Sequence, residues 1–293
     1  MTAQHNKPEI GFVGIGVMGR SMASHLMEDG YALSVYNRTK AKAEDLLAGG
    51  AVWCETPGKV ASRADIVITM VGYPRDVEEV YFGADGILAS CRSGILLVDM
   101  TTSSPELAVR IYDEAKAKGC TALDAPVSGG DIGAREAKLS IMVGGEEEAF
   151  ERMLPVFQVM GKNIVLQGKA GSGQHCKMAN QIAIASTMMG VCESIRYAEE
   201  AGLDPQTVLR SIESGAAGSW SLSNLAPRMI NGDFEPGFYV KHFIKDMKIA
   251  LESAEKLGLE ARGLTLARSL YEELAGEEGG EDRGTQALYT LYR

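Results

Sequence analysis

The sequence predicts an α/β N-terminal domain followed by an all-α C-terminal domain, joined by a long interdomain helix. Three observations carry this. Short apolar runs alternate with helical stretches through residues 1–168, the pattern of an open parallel sheet. A glycine-rich turn separates the first apolar run from the first helical stretch. Beyond Gly168 no strand is legible, and no proline interrupts the chain from Gly171 to Asp204. At 293 residues the chain exceeds the roughly 250 that one core usually serves. Domains are expected at 1–168 and 169–293.

Residues 9–13 read as a short buried strand, followed at once by Gly14-Ile15-Gly16-Val17-Met18-Gly19. Residues 21–29 then show helical spacing, with Met22, Leu26 and Met27 on one side. Strand, G-x-G-x-x-G and helix in this order form the fingerprint of a Rossmann-type dinucleotide-binding domain. Gly14 allows the tight turn, Gly16 the approach of a pyrophosphate, and Gly19 close packing of helix on strand. The helix start offers free N–H groups and a positive dipole end to phosphate.

The second strand, 32–36, ends in Asn37-Arg38-Thr39. An NAD site usually carries a carboxylate here for the ribose 2′-hydroxyl. Asn37 removes that charge, Arg38 offers a planar fork to a 2′-phosphate, and Thr39 offers a hydroxyl. NADP(H) is therefore the preferred cofactor, with NAD(H) possible.

Residues 66–71 and 95–99 are unbroken apolar runs, as in strands covered on both faces. Ligands in such sheets sit beyond the carboxyl ends of the strands, which singles out the segments Met70-Val71-Gly72 and Met100-Thr101-Thr102. Residues 121–125 form a further strand leading into Pro126-Val127-Ser128-Gly129-Gly130. This loop can expose N–H groups to a carboxylate or phosphate, or be a plain turn. Strands at 139–143 and 163–166 complete the domain.

The second half is expected to be helical at about 174–201, then 205–214, 221–230, 243–257 and 263–274, with 277–282 an acidic solvated loop. The first of these, at about 1.5 Å per residue, would reach roughly 40 Å. Lys177 lies near its start, with Asn180 and Gln181 three and four residues on and on the same face. Lys177 is a candidate general acid, donating to a carbonyl oxygen as hydride reaches the carbon. On spacing alone an interhelical or surface lysine is the commoner case. Trp220 and Phe238 are apolar candidates for a pocket or for the core.

Composition narrows the classes. The charge is −10 and no Lys/Arg block occurs, which argues against nucleic acid. No apolar run approaches the roughly 20 residues that span a bilayer, and residues 1–8 are polar. A cytoplasmic protein without membrane contact is expected. The five cysteines are scattered without a C-x-x-C pair, so reduced thiols are expected. His5, His25, His175 and His242 form no metal cluster, and no metal is expected. His175 and Cys176 are adjacent, so on a helix they project about 100° apart. No G-x-S-x-G elbow is present.

Four segments in order resemble the β-hydroxyacid dehydrogenase family. They are the glycine loop with Met22-Ala23, Asp124-Ala125-Pro126-Val127-Ser128-Gly129-Gly130, Gly171-Ser172-Gly173-Gln174-His175-Cys176-Lys177-Met178-Ala179-Asn180, and Lys245-Asp246-Met247. The resemblance implies that Lys177 is the catalytic acid/base. It implies substrate contact by Ser128, Gly129, Gly130 and an amide of the Asn180-Gln181 pair. Met70, Val71, Thr102 and Lys245 are placed around the cofactor. The substrate would be a small carboxylate-bearing aldehyde or hydroxy acid, and the protein a homo-oligomer, a dimer or tetramer. The chain departs from members with two asparagines at 180–181, and Asn37-Arg38-Thr39 is unlike the acidic strand end of NAD-dependent 3-hydroxyisobutyrate dehydrogenases. Alternatives on the same fold are an imine reductase, where Asp or Tyr commonly replaces the lysine, and a non-catalytic cofactor-binding module. A 6-phosphogluconate dehydrogenase would need a much longer helical domain.

Overall fold

A computed structural model describes residues 7–292. The polar residues 1–6, with His5, lie outside the described residues. The chain divides into two compact units, Met1–Lys177 and Met178–Arg293.

The first unit is built on one sheet. Its strands are β1 (Ile10–Val13), β2 (Leu33–Tyr36), β3 (Val52–Trp53), β4 (Ile66–Thr69), β5 (Leu96–Asp99), β6 (Thr121–Asp124), β7 (Val127–Ser128), β8 (Leu139–Gly144) and β9 (Gly161–Gly168). The order is β3-β2-β1-β4-β5-β6-β8-β7, with β9 also on β8. Strands β1 to β6 pair in parallel, and β8 runs antiparallel to β6 and β7. Successive side chains point to opposite faces of a strand. Ile66 and Ile68 accordingly join one buried cluster and Val67 the other. Leu96 and Val98 divide from Leu97 in the same way. Burial on both faces is why these runs are continuous rather than alternating.

Helices cover the sheet at Val17–Glu28, Pro57–Arg63, Pro105–Ala117 and Glu147–Met160, among others. Two have start signals that the sequence carries openly. Thr56 Oγ1 accepts from Lys59 N and Ser104 Oγ from Leu107 N, each at 3.1 Å, with proline opening the helix. The first helix begins at Val17, within the glycine loop, rather than at residue 21. The strand order reverses between β1 and β4, so the crevice at their carboxyl ends, after Val13 and after Thr69, is the expected ligand position.

The long helix spans Ser172–Glu200, 29 residues, or about 44 Å. The division between the units falls within it, after Lys177. From Met178 onward Ala185, Met188, Cys192 and Ile195 recur at helical spacing in the core of the second unit. That unit also contains Pro205–Ile212, Val240–Lys256 and Arg262–Gly276. The helix expected over 221–230 is two short ones, Trp220–Asn224 and Ala226–Ile230. Pro227 has no N–H to continue the first helix and instead opens the second. Within the acidic 277–282 segment Gly280 is buried in a 3-10 turn, Gly280–Asp282. The stretch Thr285–Tyr292 forms a further 3-10 helix that buries Leu288 and Tyr289. Tyr271 Oη donates to Thr285 O at 2.8 Å, and Phe243 meets the Tyr271 ring edge-on at 5.0 Å. Among the described residues no helix is long and apolar enough to cross a membrane.

Candidate active site

The loop after β1 is shaped by two close approaches. Gly14 has φ 103°, and a Cβ there would lie 2.1 Å from Met70 O. A Cβ on Gly19 would lie 2.0 Å from Gly14 O. Packing therefore demands both glycines. Gly16 differs, because a Cβ there meets no atom within 4 Å. The fold does not require glycine at 16, whereas close approach by a pyrophosphate does. The first helical bond runs from Arg20 N to Gly16 O at 3.0 Å. The amides of Val17, Met18 and Gly19 thus have no acceptor within the helix, and its first turn holds no acidic side chain. Such a start suits the diphosphate of a dinucleotide. Ile15 contributes packing, being 1% exposed, and its N–H donates to Asn37 Oδ1 at 3.0 Å.

Asn37 also donates through Nδ2 to Thr39 O at 2.9 Å. It clasps the glycine loop to the end of β2. Arg38 stands out from this clasp, its side chain 73% exposed, with Nη1 3.1 Å from buried Asp76 Oδ1. Asp76 is in turn held at the start of helix Pro74–Phe82 by Tyr73 N at 3.1 Å. Thr39 is exposed beside Arg38.

Met70 and Val71 follow β4 and are half-buried. Val71 N donates to Thr101 Oγ1 at 3.0 Å, which joins this loop to the one that carries half-buried Thr102. Beneath them Asp99 accepts from Thr69 Oγ1 at 2.7 Å and Thr101 N at 3.1 Å. Burial pushes its carboxyl up to about 6 from 3.8. The folded state therefore binds a proton that the unfolded chain has released, and Asp99 weakens the fold as pH rises from about 4 through 6. Asp99→Asn keeps the Oδ1 acceptor without the charge. It is expected to raise the melting temperature at pH 8 and not at pH 4, by at most about 3 kcal/mol of stability. Equal changes at the two pH values would contradict this origin.

On the next strand, Asp124 is 4% exposed and leads into half-buried Ser128. Gly129 and Gly130 follow with φ 125° and 61°, conformations open to glycine. Asp124 Oδ1 accepts from Gly171 N at 2.7 Å and Oδ2 from Gln174 N at 2.8 Å. Gln174, fully buried, donates through Nε2 to Thr101 O at 2.7 Å and accepts from Ser103 N at 2.9 Å. Three residues further along the helix, Lys177 is 6% exposed. Within the first unit the structure thus ties together the strand leading into Ser128, the Thr102 loop and the start of the helix carrying Lys177. Asp124 and Gln174 belong to recognisable motifs, but sequence reasoning assigned neither a role.

In the second unit, Asn180 is half-buried and Gln181 is 1% exposed. Asn180 Nδ2 donates to Gln181 Oε1 at 2.7 Å, and Gln181 Nε2 donates to Asp246 Oδ2 at 2.6 Å. Lys245 Nζ lies 2.9 Å from Asp246 Oδ1. Both ends of the Gln181 amide are engaged, and no sequence pattern signalled Asp246 as its partner. Burial and the neighbouring Lys245 hold His242 below the usual histidine value. Trp220 is 60% exposed and Phe238 half-buried against the helical core. The five cysteines are free thiols. Among the described residues no group of three or more His, Cys, Asp or Glu could hold a metal ion.

A glycine loop at the switch point of a parallel sheet, with an open helix start beside it, has the geometry of a dinucleotide-binding domain. Residues 9–168 match the family described as the NAD binding domain of 6-phosphogluconate dehydrogenase. Residues 171–292 match the NAD-binding family of NADP-dependent 3-hydroxyisobutyrate dehydrogenase. An uncharacterized oxidoreductase of Bacillus subtilis is 61% identical over 98% of this chain and 99% of its own. The 2-hydroxy-3-oxopropionate reductase of Escherichia coli is 41% identical over 93% of each chain. The solved 3-hydroxyisobutyrate dehydrogenase of Mycobacterium tuberculosis, with L-serine, superposes with a TM-score of 0.89 at 29% identity over 98% of this chain and 99% of that one. The chain belongs to the β-hydroxyacid dehydrogenase family and is an enzyme of that class.

Proposed function

We propose that the enzyme is an NADP(H)-dependent reductase of a small semialdehyde, interconverting it with its 3-hydroxy acid or a glycolate-type hydroxy acid. The observation that carries this reading is Lys177. It is a buried lysine in the second turn of a helix whose start is bonded to the strand leading into Ser128-Gly129-Gly130. When bound, the nicotinamide supplies or accepts hydride at its C4. Lys177 Nζ donates a proton to the carbonyl oxygen as negative charge develops there, and takes the hydroxyl proton in the reverse direction. Ser128 Oγ and the amides of Gly129 and Gly130 receive the substrate carboxylate. Asn180, one turn beyond Lys177, offers its amide to the substrate. Gln181, engaged by Asp246 and Asn180, orients that amide. Met70, Val71 and Thr102 line the cofactor, and the family motif assigns Lys245 to it as well. A lysine at 177, rather than Asp or Tyr, supports carbonyl over imine reduction.

Arg38 and Thr39 support NADP(H). Both are exposed at the end of β2, and no carboxylate stands at 37 to repel a 2′-phosphate. The test is NADPH oxidation, with NADH alongside, against glyoxylate, succinic semialdehyde, tartronate semialdehyde and methylmalonate semialdehyde. Turnover with at least one, faster with NADPH, is expected. No turnover with any of them, in protein that still binds NADPH, would overturn the reading.

A further inference from the structure

We infer that Asp124 and Gln174 are positioning residues for the reaction, forming one junction that sets Lys177 against the substrate loop and the cofactor loop. This rests on the reading of Lys177 as the acid/base.

A helix start leaves its first amides without intrahelical acceptors. Here the residue before Ser172 is glycine, which has no side chain to cap them. The acceptor comes from Asp124, 47 and 50 residues earlier than the two amides it receives, at 2.7 and 2.8 Å. A carboxylate suits the positive end of the helix. Yet this one is buried, and burial pushes its carboxyl up while the amide bonds pull it back. A local Ser or Thr would cap the helix without burying a charge. What the distant aspartate adds is a fixed connection between the helix start and the strand that becomes the substrate loop.

The surrounding backbone is shaped to admit it. A Cβ on Gly144 would lie 2.5 Å from Asp124 Oδ1 and 2.7 Å from Gly173 N. A Cβ on Gly173 would lie 2.7 Å from Asp124 O and 2.9 Å from Oδ2. Gln174 completes the junction on its other side, with its amide bonded to Thr101 O and Ser103 N, the residues flanking Thr102. Gln174 and Lys177 are less than one helical turn apart, so displacement of one is passed to the other. An acid group moved by about 1 Å loses much of its contribution to the transition state.

Two variants test this, Asp124→Asn and the uncharged, similarly sized Gln174→Met. Each is expected to lower kcat about 10- to 100-fold while the Kd for NADPH changes less than about twofold. Amide hydrogen exchange should accelerate at residues 171–177 and stay unchanged along 185–200. In a Lys177→Ala background, Gln174→Met should change the residual rate less than about twofold, because its effect passes through the lysine. Unaltered exchange at 171–177 in both variants would overturn the junction, whatever the activity. So would parallel losses of kcat, NADPH affinity and melting temperature, or a further tenfold drop in the Lys177→Ala background. A Lys177→Ala enzyme with the wild-type rate would instead sink the reading of the acid, and the exchange result would still report on the junction.

Discussion

Replacing Lys177 with alanine is expected to lower kcat by about 10² to 10⁴, the range that a positioned general acid contributes. NADPH should still bind with a Kd within about twofold of wild type. The separation follows from where the groups lie. The proposed dinucleotide determinants are the loop after β1 and the end of β2, joined by bonds from Gly14 N to Tyr36 O and from Ile15 N to Asn37 Oδ1, with Asn37 Nδ2 bonded to Thr39 O. None of those bonds involves the long helix. Lys177 lies six residues into that helix and is 6% exposed. Removing its side chain deletes a proton donor and leaves the cofactor loop unchanged. Stopped-flow reduction at saturating substrate gives the rate, and quenching of protein fluorescence by NADPH gives the affinity. Equal turnover by the variant would remove the lysine from the chemistry. A matching loss of NADPH affinity would move it to cofactor binding.

Replacing Arg38 with alanine is expected to lower kcat/KM for NADPH about 10- to 100-fold and to change that for NADH less than about threefold. A charge-assisted hydrogen bond contributes about 1.5–3 kcal/mol, and the 2′-phosphate is the feature that distinguishes the two cofactors. Arg38 is suited to it because its guanidinium projects into solvent and is held on one side by Asp76. The remaining N–H groups can form a fork. Adding Asn37→Asp should extend the shift, since a carboxylate repels the phosphate and accepts from the ribose hydroxyl of NADH. Asn37 also accepts from Ile15 N, a bond that aspartate retains, while the Nδ2 bond to Thr39 O is lost. An unchanged NADPH-to-NADH ratio would place cofactor choice elsewhere.

Much of the nucleotide half was legible because its signals are local. Each apolar run of the sheet core is contiguous, and Gly14, Gly16 and Gly19 sit within six residues of one another. Spacing made Lys177 only one candidate among surface and interhelical lysines, and the resemblance of residues 171–180 to the family motif is what proposed it as the acid. The long-range bonds were not. Asp124 reaches amides 47 and 50 residues away, and Gln181 meets Asp246 at a separation of 65. No periodicity encodes such a partner. For the same reason Asn180 and Gln181 read alike in sequence, and only the Asp246 bond distinguishes them. The two-residue strands β3 and β7 are too short to show alternation, so their pairing is decided by neighbours. Over 221–230 the apolar spacing suited one helix, and the missing N–H of Pro227 prevailed over it.

In the proposed reaction hydride reaches the carbonyl carbon of a small semialdehyde. The most direct test is to supply NADPH carrying deuterium at the transferred C4 position and to analyse the product by mass spectrometry. One deuterium on the carbon bearing the new hydroxyl, formed at the rate of NADPH loss, is the expected result. NADPH loss without label in a hydroxy acid, or label in an amine formed from an imine, would contradict it.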